Sequence, residues 1–358
     1  MKKLAILILF AICLNTVGTS PLVNARVNQA GPVLLKYSVQ VTAGRLVRYW
    51  KAPDAENYWS WLPRVSFLVA GPVMAGTVFT IEFTNPDGSP WYSVDCMSES
   101  IAEGRWGVIG TPAITTHIDK RTTLATGIFG FTIKVKNEVM GTSATLYTGK
   151  FKVNKFHVGN NLPAFKNQFE YYVDQDWRLP IGYLWLSPQI DERSPVLVGT
   201  MWFRGESDAT TLAAYLFYNG KQIGSTKEST GGADSDLKLL TSGNDKEPRW
   251  ERWNFRWNLV RAYNTDTNNK ASLFLLSSNP GEYEVKVLRE GDLVRSMKFA
   301  IGTDGTFVDN AVAKQNGLGW GGLIQPVKVL GNGDGQWDVN AWKTGAFYGN
   351  PLSGFSAP

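Results

Sequence analysis

Short runs in which apolar and polar residues alternate recur along the chain, and they constrain its fold more than any other feature. Residues 131–135 read Phe-Thr-Ile-Lys-Val and residues 283–287 read Tyr-Glu-Val-Lys-Val. A period of two is typical of a strand with one face buried and the other in water. Residues 208–216 are the single weak candidate for an amphipathic helix, and two adjacent threonines there oppose one.

Turn-forming sequences separate these runs, which favours an all-β fold. They include Asn219-Gly220 and Asn279-Pro280-Gly281. Many short strands divided by glycine, asparagine, proline and aspartate are typical of β-sandwich domains. At 358 residues the chain has the length of two or three domains. We therefore predict two tandem immunoglobulin-like β-sandwich domains.

The two halves of the sequence resemble each other in the order of their landmarks. The paired landmarks are 81–83 with 215–217, 131–135 with 283–287, 150–153 with 298–301, and Trp61-Leu62-Pro63 with Trp177-Arg178-Leu179-Pro180. A recurrence in the same order predicts an internal duplication. The alternative is chance similarity, because all strands share a composition.

The predicted organisation has four parts. They are a signal peptide at 1–25, a first β-sandwich domain at 26–156, a second at 157–302, and a glycine-rich C-terminal tail with short strands at 303–358. The tail carries aromatic residues, which favours docking on a domain over a free linker.

The amino terminus has the pattern of a secretory signal peptide. Lys2 and Lys3 precede an apolar run at 4–14, which is too short for a spanning helix of about 20 residues. Val23-Asn24-Ala25 fits a cleavage site before Arg26, and a cut after Ser20 is the other possibility. An uncleaved membrane anchor is the alternative. We expect an exported protein, periplasmic or extracellular, with no membrane span after cleavage.

The charge balance argues against a nucleic-acid partner. The chain has 36 basic and 31 acidic residues, and loss of Lys2 and Lys3 leaves a net charge of +3. No run of lysine and arginine marks a nucleic-acid footprint. The sequence contains no Asn-x-Ser/Thr sequon, which favours a bacterial origin for the exported chain.

Few residues are suited to catalysis or metal binding. Cleavage removes Cys13, so Cys96 is the single cysteine of the mature chain, and His117 lies some twenty residues beyond it. A Cys–His pair needs an orienting third group, and none can be identified from the sequence. Residues 332–338 resemble a calcium loop, but Trp337 and Lys343 occupy the positions that require glycine and an acid. We expect no metal and no cofactor.

Asp174 and Asp176 are the best candidates for paired carboxylates. They flank Gln175 beside Trp177, and strand alternation would place both on one face. Carboxylates next to tryptophan are typical of sugar-binding and glycosidase sites. A solvated turn before a buried tryptophan is the alternative and fits the usual exposure of aspartate.

The chain contains 14 tryptophans, and two groups of them are candidates for binding. In 250–259, alternation places Trp253, Phe255, Trp257 and Leu259 on one face of a strand, with Arg252, Asn254, Arg256 and Asn258 on the other. The apolar face is expected in a core, and the Arg/Asn face could recognise carboxylates or hydroxyls. Around Trp59 and Trp61, indoles could pack in a core or stack on sugars.

These observations favour an exported binding protein without catalytic activity, which recognises an envelope or extracellular glycan or protein. The candidate ligand-binding residues are Trp59, Trp61, Asp174, Asp176, Arg252, Trp253 and Arg256. Two alternatives stay open. One is a self-assembling surface subunit that uses unpaired strand edges, and the other is a polysaccharide hydrolase with a carboxylate pair.

Overall fold

The structure is a computed structural model, and it describes most of the chain beyond the amino terminus. The described residues are 31–46, 49–51, 58–102, 104–111, 119–158, 166–189, 192–227, 231–239, 248–263, 272–309, 311–312 and 322–341. The predicted signal peptide, His117 and Lys343 lie outside them.

The elements over these residues are nineteen β-strands and two 3-10 turns, so the all-β prediction is confirmed. One half consists of β1 (Val33–Leu46), β2 (Ser60–Ala70), β3 (Thr77–Thr84), β4 (Pro90–Asp95), β5 (Met97–Ala102), β6 (Arg105–Gly110), β7 (Gly127–Asn137), β8 (Thr142–His157) and β9 (Phe169–Val173). The other consists of β10 (Ile181–Gln189), β11 (Glu192–Arg204), β12 (Leu212–Tyr218), β13 (Lys221–Ser225), β14 (Gly231–Leu239), β15 (Trp250–Arg261), β16 (Phe274–Leu275), β17 (Gly281–Arg289), β18 (Asp292–Ile301) and β19 (Leu323–Val329). The 3-10 turns cover Asp176–Arg178 and Leu276–Ser278.

The strands β1–β9, here called the sandwich half, form two antiparallel sheets. One sheet has the order β1-β2-β6-β5 and the other has the order β4-β3-β7-β8-β9. The inner faces pack together, and the rings of Phe67 and Phe79 from opposite sheets lie 6.1 Å apart. Apolar residues from both sheets form one core.

Alternation in the sequence produces this sandwich directly. In β3, Phe79, Ile81 and Phe83 are buried, while the residues between them are partly exposed. Ile81 lies opposite Ile133 of β7, so the apolar sets of the two strands face the same core. On the outer face, the Glu82 carboxylate and the Lys134 ammonium form an ion pair at 2.6 Å.

The chain changes from one sheet to the other at Cys96. This residue separates β4, an edge of one sheet, from β5, an edge of the other. Its amide donates to the carbonyl of Phe79 at 2.8 Å. A Cβ at Gly110 would lie 2.4 Å from a methyl carbon of Ile81 and 3.1 Å from the Cys96 sulfur, so only glycine allows the sheets to approach this closely here.

The strands β10–β19, here called the barrel half, form one ten-stranded sheet that closes nearly into a barrel. The order is β13-β12-β17-β18-β19-β10-β11-β15-β14, with β16 beside β15. Strand β19 pairs with β18 on one side and with β10 on the other. At the opposite seam, Gly224 of β13 packs against the indole of Trp257, where a Cβ would lie 2.9 Å from the ring.

The tail therefore contributes structure to the barrel half. After β19, the buried carboxylate of Asp334 binds the guanidinium of Arg295 through contacts of 2.5 and 2.8 Å. The backbone amide of Asp338 donates to the Asp176 carboxylate at 2.8 Å. Through these contacts, residues 331–341 connect β18 to the segment between the two halves.

Two details of the sequence interpretation are corrected by the structure. Leu259 is only half-buried and Val260 takes its place inside, because the pairing of β11 with β15 shifts between Val196 and Leu197. Trp61 lies in β2, whereas Trp177 lies in a 3-10 turn before β10, so this pair of landmarks does not correspond. The predicted domain boundaries at 156/157 and 302/303 stay predictions.

Nowhere in the described part of the chain is there a helix with the length and apolar character that crossing a bilayer requires.

Candidate functional site

The tryptophans predicted to bind a ligand lie mainly in the interior. Trp61 has no exposed surface, and its Nε1 donates to the carbonyl of Ala125 at 2.9 Å. Trp253 is 3% exposed and donates to the Glu251 carboxylate at 3.1 Å. Trp59 is half-buried. Among the described tryptophans, Trp50 alone is exposed, at 37%, so these residues offer no extended aromatic platform.

The structure brings Asp174 and Asp176 together, but in a buried place. Their exposures are 7% and 5%, and the carboxylate of Asp174 accepts the amide of Asp176 at 2.9 Å. The Asp176 carboxylate also accepts from Trp250 Nε1 at 2.9 Å and from the Asp338 amide at 2.8 Å. Burial, with the charge of Asp174 as a second cause, raises the pKa of Asp176 to about 6.

Residues 174–180 are all buried and form what we call the junction. The Arg178 guanidinium lies 4.4 Å from the ring centre of Trp177 and 4.8 Å from that of Trp202. It donates to the Val39 carbonyl of β1 at 3.2 Å. The junction therefore binds the sandwich half through Arg178 and the barrel half through Asp176. Its carboxylates are structural groups in this arrangement and present no open cleft to a sugar.

Arg252 and Arg256 lie on the outer face of β15, as the alternation predicted. The Arg252 guanidinium forms a bidentate ion pair with Asp236 at 2.7 and 2.6 Å. It also lies 6.0 Å from the ring centre of Trp202. Arg256 is exposed. The seven predicted residues are thus divided among two separate cores, a half-buried position before β2, the junction and the outer face of β15, and they do not form one site.

Cys96 and the glycine-rich loop, the other sequence candidates for a reactive centre, have no reactive geometry in the described residues. Burial, followed by the charge of Asp95, raises the pKa of the Cys96 thiol to about 12, so the thiolate needed for nucleophilic attack is scarce. No group of three His, Cys, Asp or Glu side chains in the described ranges could hold a metal ion. In the glycine-rich loop, Asp334 is already bound by Arg295.

A cavity of about 240 Å³ opens at the seam of the barrel half, lined by Gln222, Ile223, Gly224, Ser225, Trp257, Leu259 and Val260. The buried Nε1 of Trp257 has no hydrogen-bond partner. Since Trp257 is only 1% exposed, this donor is not accessible to a ligand in the cavity.

The surface with the clearest capacity for binding is an apolar patch on β5 and β6. Met97, Ile101 and Ile109 are 71%, 57% and 43% exposed, and we call them the β5–β6 patch. Met97 lies directly opposite Ile109. A Cβ at Gly107 would lie 3.0 Å from Ile101, so the isoleucine side chain packs against this glycine.

The sheet around the patch continues the apolar character towards β1. Leu68 of β2 lies opposite Gly107 on one side and the buried Leu35 of β1 on the other. Strand β5 is at the open edge of this sheet. Its residues 97–101 are all exposed, including Ser98 and Ser100 on the opposite face. Exposed apolar residues next to an unpaired strand edge are typical of a protein interaction surface.

The sequence contained a signal for this patch, since residues 97–101 alternate as Met-Ser-Glu-Ser-Ile. Alternation identifies two faces but not which of them is covered. The patch was therefore missed, because apolar residues of a strand are expected to face a core.

In comparison with known proteins, no protein-family model and no curated protein matches the chain.

Proposed function

We propose that the chain is an exported, non-catalytic binding protein that recognises another protein of the envelope or the extracellular space through the β5–β6 patch. The observation that carries this proposal is the exposure of Met97, Ile101 and Ile109 beside an open strand edge. Single exposed apolar residues are ordinary on protein surfaces, whereas three adjacent ones on a sheet face mark interaction sites.

A protein partner is favoured over a glycan by the positions of the aromatic residues. Stacking on a sugar ring uses an exposed aromatic face, and the described tryptophans other than Trp50 are buried or half-buried. Arg252, the other candidate for glycan recognition, is already paired with Asp236.

The finer fold proposal is that both halves are immunoglobulin-like and arose by duplication. The support for this proposal is a strand order that both halves share. When the strands of the two halves are matched in chain order and β16 is left out, the sheet β1-β2-β6-β5 corresponds to β10-β11-β15-β14. In the same way, β4-β3-β7-β8 corresponds to β13-β12-β17-β18. This order is that of the immunoglobulin strands A-B-E-D and C′-C-F-G. The hairpins β7–β8 and β17–β18 contain the most similar sequence landmarks.

Site-specific photocrosslinking tests the proposed surface. A photoreactive phenylalanine analogue replaces Met97, Ile101 or Ile109 in turn, in cells that export the protein. Val139 and Met140, exposed apolar residues at 80% and 59% on a hairpin of the other sheet, are the matched control positions. We expect a covalent adduct of one discrete mass at the three patch positions alone. Adducts that form equally at the control positions, or nowhere, would contradict the proposal.

Export is tested separately by sequencing the amino terminus of the protein recovered outside the cytoplasm. The expected first residue is Arg26, or Pro21 if the cut follows Ser20. A chain that keeps Met1 would contradict cleavage.

A self-assembling surface subunit is the second candidate, favoured by the same open edge of β5. Sedimentation of the mature protein separates the two candidates. A monomer at high concentration supports recognition of a different protein, and concentration-dependent polymers support assembly.

A further inference from the structure

We propose that the partner at the β5–β6 patch is an extended segment with a basic side chain between two apolar ones, which adds to β5 as a further strand. This inference rests on the proposed function and names the chemistry of the partner. It follows from the edge position of β5, from the alternation along it, and from the charge at its centre.

The edge of β5 is available for strand addition. Among the strands that the structure describes, β5 pairs with β6 alone, and β6 then pairs with β2. An edge strand leaves backbone N–H and C=O groups unpaired along its free side, and these can bind an extended partner. The pairing with β6 is regular from Met97 to Ser100 and shifts between Ser100 and Ala102, so residues 97–100 form the regular part of the edge.

The side chains of β5 specify what the partner must carry. Met97, Glu99 and Ile101 follow each other on the outer face, while Ser98 and Ser100 occupy the other face. Cross-strand neighbours on one face interact, so apolar partner residues fit beside Met97 and Ile101. Polar partner residues fit beside the serines.

Glu99 sits at the centre of this row and sets the charge of the partner. It is exposed, and in the described part of the chain its carboxylate makes no hydrogen bond or ion pair. It lies opposite Gly107, which offers no side chain to neutralise it. Arg105 stands at the far end of the edge, opposite Ala102. A lysine or arginine on an added strand would complement Glu99 directly.

The same residue disfavours a second copy of this chain. Antiparallel pairing of two β5 strands about their centre would place Met97 against Ile101 and Glu99 against Glu99. Like charges directly opposite each other destabilise a strand pair. A charge on an edge strand is also a common means by which proteins prevent self-pairing.

Binding of designed peptides to the full mature protein tests the proposal. The probe is a fluorescent acetyl-Thr-Val-Thr-Lys-Thr-Val-Thr-amide, and the comparison peptide has glutamate in place of lysine. We expect the lysine peptide to bind about fivefold to tenfold more tightly to the natural protein. The variant Glu99→Lys should invert this preference. Glu138→Lys, an exposed change on another sheet, should leave it unaltered.

Three results would overturn the proposal. They are no binding of either peptide, a preference that does not change sign with Glu99→Lys, and dimers of the natural protein that strengthen in Glu99→Gln. The last result would identify the partner as a second copy. If crosslinks still form at Met97, Ile101 and Ile109 while the peptides fail, the proposed function stands and only the strand-addition chemistry is wrong.

Discussion

The sandwich half and the barrel half have the same strand order, but they differ in whether a strand joins their two sheets. In the barrel half, β19 pairs with both β18 and β10 and so joins the two sheets into one. Among the described strands of the sandwich half, β9 pairs with β8 and not with β1, and β5 is an edge strand, as its counterpart β14 is in the barrel half. One strand supplied from the tail thus converts a sandwich into a nearly closed barrel.

The tail adds a second difference, which is a buried ion pair. Arg295 and Asp334 have side-chain exposures of 0% and 2%, whereas the ion pair of Arg121 and Asp119 in the sandwich half has exposures of 36% and 10%. A pair of this kind positions the chain and is costly to break, because the remaining charge stays buried. We therefore expect the barrel half and the tail to lose structure together.

The largest expected effect comes from Asp334→Ala. The Arg295 guanidinium would stay buried without its carboxylate, so we expect a loss of about 3–5 kcal/mol in the free energy of unfolding. Urea unfolding measures the loss, and limited proteolysis should show cleavage after β19. The double change Arg295→Met with Asp334→Leu removes both charges and should recover most of the stability. A tail that stays resistant to protease in Asp334→Ala would show that the ion pair does not distinguish the halves.

The next effect is a dependence of stability on pH at the junction, which both halves share. Because the pKa of Asp176 is raised to about 6, the folded chain binds this proton more tightly than the unfolded chain does. The resulting stability is complete below about pH 4 and is lost as the pH rises through 6, by about 2–3 kcal/mol. Between pH 4 and 7, the unfolding midpoint of the natural protein should fall relative to that of Asp176→Asn, whose amide does not titrate. Parallel curves would contradict the assignment.

A smaller effect is expected at two glycines that allow close packing, one in each half. A Cβ at Gly182 would lie 2.5 Å from the Met297 sulfur, and one at Gly110 would lie 2.4 Å from Ile81. Alanine at either position should cost about 1–3 kcal/mol through overpacking. Gly232→Ala is the control, since nothing lies within 4 Å of its Cβ. If Gly182→Ala left the free energy of unfolding unchanged while Gly110→Ala lowered it, β19 would not be tightly packed against β10.

The smallest effect on stability is expected in the β5–β6 patch. Ile101→Thr and Met97→Thr change exposed residues and should alter the free energy of unfolding by about 0.5 kcal/mol or less. The same changes should abolish the adducts obtained by crosslinking at Ile109. A large loss of stability would mean that the patch belongs to the core of the sandwich half.

The sequence predicts some of these features well and others not at all. Alternation identified β7 and the hairpin β17–β18, because a period of two follows from one buried face. It failed at Leu259, where a shift in register moves the inward position to Val260. It also gave no indication that Asp174 and Asp176 are buried, since the groups that satisfy them come from Trp250 and Asp338 far along the chain. Contacts between distant segments determine which polar residues and which strand edges are covered.

Hydrogen–deuterium exchange of the mature protein alone tests the contrast between an open and a closed edge most directly. We expect backbone amides of β5 to exchange much faster than those of β18 and β19, because among the described strands β5 pairs only with β6. Exchange in β5 as slow as in β18 and β19 would contradict it. The edge would then be covered in solution, and the proposed recognition surface would be wrong.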